Sequence, residues 1–137
     1  MAYAIRRADY FHATIGDQPG EAYQVLSALA GLGVNLLAFT TVPVGPDRTQ
    51  ITLFPAEPSK MTSEARKANM ALDGPHQAFL LQGDDELGAL VAVHEKLYRA
   101  NVNVYASSGV ADGHGKYGYV IWVRQEDCDR AAKALGV

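Results

Sequence analysis

The chain has 137 residues, 48% of them hydrophobic and 20% charged, with a formal net charge of -3. That size and balance suit one compact domain or two very small ones, and the acidic surface lacks the basic stripe that nucleic acid demands. No window reaches the roughly 18 apolar residues of a membrane helix, and no signal-length apolar run follows Arg6 and Arg7. Cys128 is the sole cysteine, so no internal disulfide forms and the setting expected is reducing and cytoplasmic.

In chain order, residues 10–15 (YFHATI) predict a strand. Ala22, Val25, Leu26, Leu29 and Leu32 recur on one face of a helix over 20–32, which Gly33 ends. Residues 34–44 predict a second strand, GPD at 45–47 a turn, and 48–54 a third strand with Ile51 and Leu53 alternating against Thr52. Pro55 and Pro58 break the chain, and 60–72 predicts a helix stopped by Asp73-Gly74. Residues 77–82 predict a strand, 87–100 a helix, 102–107 a strand, 111–116 a glycine-rich turn, 117–123 a strand and 126–135 a closing helix.

The second half repeats the first. Shifted by 68 positions without a gap, Phe11 meets Phe79, Asp17 meets Asp85, Gly20 meets Gly88, and Val25 meets Val93. Leu29 meets Leu97, Val34-Asn35 meets Val102-Asn103, and Ala38 meets Ala106. Duplication at this period is the first thing to settle in any reading of topology. It predicts two domains, 1–74 and 75–137, each βαββα. The fold expected is α+β, with antiparallel sheets and helices on one face. A ferredoxin-like βαββαβ unit has four strands and only three per half are visible. Either residues 2–15 and 75–83 are long strands serving two roles, or each sheet lacks an edge strand.

Asp17-Gln18-Pro19-Gly20 at a helix start, followed by Gly33-Val34-Asn35 at the next strand, resembles the ACT domain family. The second copy, Asp85-Glu86-Leu87-Gly88 and Asn101-Val102-Asn103, departs from that pattern at Leu87 and Asn101. The resemblance spans nearly the whole chain. It implies a tandem pair of ferredoxin-like domains with a regulatory role, binding an amino acid or similar metabolite between repeats or subunits. It also implies a regulated enzyme or transcription regulator as partner.

An amino acid presents a carboxylate and an ammonium. A helix N-terminus offers N–H groups and partial positive charge to the first, and neighbouring acids suit the second. The candidate ligand-binding residues are therefore Gly16, Asp17, Gln18, Pro19, Gly20, Glu21 and Asn35, with Asp84, Asp85, Glu86, Leu87, Gly88 and Asn103. The competing account is structural: acids complement helix starts, glycines shape turns, and asparagines satisfy local backbone. On that account the chain is a ligand-free interaction or oligomerisation module. The three acids of GDDELG suggest a hard cation, but the first copy lacks two of them, so no metal and no cofactor are expected.

No nucleophile elbow or phosphate loop is present, so no catalytic residue is assigned. His94 replaces Leu26 on the apolar helix face and reads as a packed or interface histidine. In YGYVIWV, Tyr119, Ile121 and Val123 face one way and Val120 and Trp122 the other. Strands apolar on both faces are normally covered on both, which predicts a second sheet, repeat or protomer there and makes a homodimer the default; the alternative is that the strands join edge to edge across repeats into one large sheet with the helices on one side.

Overall fold

The computed structural model describes residues 3–137. Its elements are β1 (Tyr3–Gly16), α1 (Glu21–Gly31), β2 (Leu36–Gly45), β3 (Arg48–Pro55), α2 (Pro58–Lys67), β4 (Asp73–Asp84), α3 (Val91–Arg99), β5 (Ala106–Ala111), β6 (Lys116–Trp122) and α4 (Cys128–Leu135). A short 3-10 turn, Gln125–Asp127, leads into α4. The class is α+β, with antiparallel strands and helices.

The chain forms two compact units, one of residues 9–76 and one combining 3–8 with 77–137. This differs from the expected division at 74/75, because residues 3–8 belong with the second half of the sequence. The cause is strand length. β1 has 14 residues, yet its ladder with β3 uses only Phe11 to Gly16. The rest is free to serve the other unit. β4 is divided likewise, with 73–76 in the first unit and 77–84 in the second.

In the 9–76 unit the strand order is β2-β3-β1-β4, and in the other it is β5-β6-β4-β1. Each unit thus has four strands, and β1 and β4 supply those missing from a three-strand count. The ladders also agree between units at the same offset of 68: Phe11 pairs with Leu53 as Phe79 pairs with Ile121. Thr41 pairs with Ile51 as Gly109 pairs with Tyr119.

Each unit has its own core on the helix side of its strands. In the 9–76 unit, Phe11, Ile51 and Leu53 from the strands meet Leu29 of α1, Val34, and Met61 of α2. In the other, Phe79, Leu81, Tyr119, Ile121 and Val123 meet Val93 and Leu97 of α3 and Cys128, Ala131, Ala132 and Leu135 of α4. Burying a side chain of this size contributes about 1.5–3 kcal/mol. Tyr3 and Ile5, from the N-terminal part of β1, pack against this second cluster.

Several predicted boundaries shift for local reasons. Pro58 opens α2 as its first residue instead of breaking the chain, since its missing N–H is not needed there. α2 ends at Lys67 instead of Leu72 because Asn69 adopts a left-handed backbone. α3 begins at Val91, not Leu87, because Gly88 also has positive φ and closes a separate turn. Asn101 has φ 58 where Gly33 has φ 75, so it fills the glycine's helix-ending role in the second copy. The strand expected over 102–107 is β5 at Ala106–Ala111.

On the sheet faces away from these cores, Tyr10, Phe54, Leu80 and Val120 are buried within the single chain, and Trp122 is half-buried.

Candidate functional site

The second copy's turn opens onto a cleft of about 520 Å³, within the range of small-molecule sites. Asp85, Glu86 and Gly88 form one side, Ala89, Leu90 and Val91 continue into α3, and Gly109 to Ala111 of β5 with Tyr117 to Tyr119 of β6 complete it. The backbone explains the turn. Asp85 N–H donates to the Gly115 carbonyl, Ala89 N–H to Glu86, and Val91 N–H to Gly88. No side chain caps α3. Asp85 and Glu86 are exposed, and the lining includes two carboxylates and no lysine or arginine.

Within the cleft wall, Tyr119 is buried and its hydroxyl lies 2.8 Å from His94 Nε2. Gly109, its direct partner across the ladder, leaves room for the ring: a Cβ there would stand 2.6 Å from Tyr119 Cδ1. Tyr117 also lines the cleft, while its hydroxyl is shut from solvent with no hydrogen-bond partner among the described residues. Burial, then Tyr3 and Asp84, push the Tyr117 phenol above its ordinary pKa.

Of the predicted second-copy residues, Asp85, Glu86 and Gly88 line the cleft, whereas Asp84, Leu87 and Asn103 do not. Asp84 pairs with Lys116 across the ladder, and this hydrogen bond raises the lysine's pKa. Leu87 projects into solvent. Asn103 follows the C-terminal end of α3, roughly 14 Å of helix from the turn.

The first-copy turn repeats the backbone scheme. Asp17 N–H donates to Asp47 and Glu21 N–H to Gln18, at the positions equivalent to Asp85 and Ala89. Asp17, Gln18, Pro19 and Gly20 are exposed, and Gly20 precedes α1 in a left-handed conformation with no side-chain cap. The Glu21 carboxylate folds back over Gly16, 3.3 Å from where a Cβ would be. Asn35 is exposed beyond the far end of α1, and its carbonyl accepts from Ala56 N–H.

No protein-family model matches this sequence, and no curated protein sequence matches it significantly. Solved structures do share its fold. Protein BT0572 from Bacteroides thetaiotaomicron aligns over 97% of this chain and 91% of its own, at 18% identity and TM-score 0.77. The ligand-free regulatory subunit of aspartate kinase from Thermus thermophilus aligns over 99% and 96%, at 17% identity and TM-score 0.65. Its counterpart from Thermus flavus aligns over 99% and 95%, at 14% identity and TM-score 0.61. The fold is ACT-domain-like.

Elsewhere in the ACT-like fold, the 9–76 unit holds a histidine pair that sequence spacing did not reveal. His12 on β1 and His76 on β4 are 64 positions apart in the chain, yet their ring centroids lie 5.7 Å apart. Tyr10 stacks near both, His12 Nδ1 lies 3.2 Å from Thr52 Oγ1, and His76 Nε2 lies 3.0 Å from Asp73. Burial lowers the His12 pKa, His76 lowers it further, and Asp73 opposes both. Among the described residues, no group of three or more His, Cys, Asp or Glu is placed to hold a metal ion. Cys128 is buried in the core, and burial raises its thiol pKa despite the opposing charge of Arg7. Among the described residues, no helix is long and apolar enough to cross a membrane.

Proposed function

We propose that this chain is a small regulatory protein of two tandem ACT-like domains that binds an amino acid or closely related metabolite. The observation that carries this is the cleft beside Asp85, Glu86 and Gly88, at the turn on which the ACT resemblance rests. Both helix starts lack a side-chain cap, so the first-turn N–H groups beyond those of Glu21 and Val91, which donate to Gln18 and Gly88, are left for a ligand carboxylate. Asp85 and Glu86 offer the opposite charge to an ammonium group. The ladder agreement at an offset of 68 supports a duplicated domain.

The neighbours that are regulatory subunits of aspartate kinase match this chain over nearly their whole length. That supports a regulatory module acting on a partner enzyme or regulator rather than an enzyme in its own right. The lone cysteine fits a cytoplasmic setting. Pairing of two copies fits the exposed edge strands β2 and β5, with Leu87, Val91 and Val110 exposed around the cleft.

The test is isothermal calorimetry and thermal shift of the purified chain against each proteinogenic amino acid. Saturable binding that raises the melting temperature is expected for at least one. A well-folded sample that binds none of them overturns the reading.

A further inference from the structure

We infer that one ligand binds per chain, in the second copy only, and that the Tyr119–His94 pair sets which ligand is accepted. This rests on the proposed metabolite-binding reading and adds which copy works and what it recognises. The argument compares equivalent positions. Where the second copy has Tyr119 and His94, the first has Ile51 and Leu26. Where the second has Gly109 and Gly118 on facing strands, the first has Thr41 and Gln50.

Each exchange works in the same direction. Thr41 brings a side chain to the place that Gly109 leaves bare in the second copy, where the cleft exists. Ile51 is fully buried in its core and offers no polar group, whereas Tyr119, which lines the cleft, carries a hydroxyl. That hydroxyl is held by His94 Nε2 at 2.8 Å, so its direction is set before a ligand arrives. Leu26 makes no such bond. Gly109 and the tyrosine depend on one another, because any Cβ on Gly109 collides with the ring.

The chemistry of the lining defines the ligand. Asp85 and Glu86 at the mouth favour a cationic ammonium. Leu90, Val91, Val110 and Ala111 provide apolar walls, and Tyr119 provides one oriented hydrogen-bonding group. With no lysine or arginine in the lining and the Val91 N–H donated to Gly88, the N–H groups that follow it in α3's first turn are left to receive a carboxylate. The class selected is therefore an α-amino acid with an uncharged or cationic side chain, and acidic side chains are rejected by Asp85 and Glu86.

The experiment uses the full chain and the same amino acids, with calorimetric stoichiometry and three variants. Wild type is expected to bind one equivalent, with aspartate and glutamate at least tenfold weaker than the preferred amino acid. Tyr119→Phe and His94→Leu are expected to weaken that amino acid about tenfold and to narrow its margin over the other binders, a change that a merely structural defect does not produce. Asp47→Asn, at the first copy's turn, is expected to leave affinity within twofold. Two equivalents per chain, loss of binding in Asp47→Asn, or unchanged ranking in folded Tyr119→Phe overturns this inference while leaving metabolite binding intact. Binding of no amino acid overturns both. Should Tyr119→Phe not fold, His94→Leu decides alone, since it installs the first copy's own residue.

Discussion

The close fit between Gly109 and Tyr119 makes a quantitative prediction. A Cβ at Gly109 would lie 2.6 Å from Tyr119 Cδ1 and 3.2 Å from the Gly118 carbonyl, so the ring must move about 0.8 Å to reach the 3.4 Å of ordinary contact. Overpacking of this kind costs about 1–3 kcal/mol, so Gly109→Thr is expected to destabilise by that amount. Tyr119→Ile removes the ring and leaves His94 Nε2 without its partner, costing roughly 2–4 kcal/mol. The double variant G109T/Y119I installs the pair found at Thr41–Ile51, which the 9–76 unit accommodates with Ile51 fully buried. Its cost is expected to fall below the sum of the single costs by at least about 1 kcal/mol, because the clash disappears with the ring. Urea unfolding followed by the fluorescence of Trp122, the only tryptophan and a residue of β6, reports on the unit concerned. Additivity within about 0.5 kcal/mol would mean that ring and glycine are not coupled, and the steric account of the cleft would fall.

Three further outcomes are expected. Removing residues 1–8 takes Tyr3 and Ile5 from the core of 77–137 and Arg7 from its 2.8 Å pair with Asp129, so amides of β4 and β6 lose protection from hydrogen exchange while those of β2 do not. Arg7→Ala alone costs less than about 1 kcal/mol, as its exposed pair predicts, and equal effects of the two changes would contradict strand donation. His12 is held below its ordinary value by burial and His76, so the folded chain binds that proton more weakly than the unfolded chain. Stability therefore declines as pH falls below the ordinary histidine value of about 6.5, and His12→Asn reduces the decline; identical urea midpoint shifts between pH 7.5 and about 5.5 in both proteins refute the assignment. Cys128, buried and with a raised thiol pKa, is expected to react with a colorimetric disulfide reagent far more slowly in the native chain than in urea. Comparable rates would place the thiol at the surface.

Much of the fold is legible in the sequence because the governing signals are local. Leu29 and Leu97 lie in helical periodicity and both are buried. Ile51 and Leu53 alternate with Thr52 and face their core as a period of two requires. The exchange of β1 between units is not local. Nothing in YAIRRADYFHATIG says that its first part belongs to a different unit from its last, since strand pairing over such separations depends on which edges remain open. The His12–His76 approach is hidden for the same reason. The candidate site is legible in part: Asp85, Glu86 and Gly88 line the cleft, while Asn35 and Asn103 stand beyond the far ends of their helices. Tyr117, Tyr119 and Gly109 carried a signal that was available, namely their difference from Thr49, Ile51 and Thr41 in the other copy.

That difference bears on how a duplicated chain should be read. Identities between the copies are explained by backbone and packing: Gly20 and Gly88 both take positive φ, Val34 and Val102 both donate to the carbonyl five residues earlier, and Phe11 and Phe79 both enter cores. Such positions are held by folding whether or not anything binds, so their agreement cannot identify a ligand site. The exchanges Ile51 for Tyr119 and Leu26 for His94 have the opposite character. Each introduces a polar group where the first copy has an apolar residue, Ile51 being fully buried in its core, and a tyrosine hydroxyl so placed adds hydrogen-bonding demand without improving packing. Folding alone gives no reason to prefer it. The bare strand positions at Gly109 and Gly118 lower strand propensity as well, yet they accompany the cleft. Function is accordingly to be sought where the second copy departs from what its fold needs, which is the wall formed by Gly109, Gly118 and Tyr119.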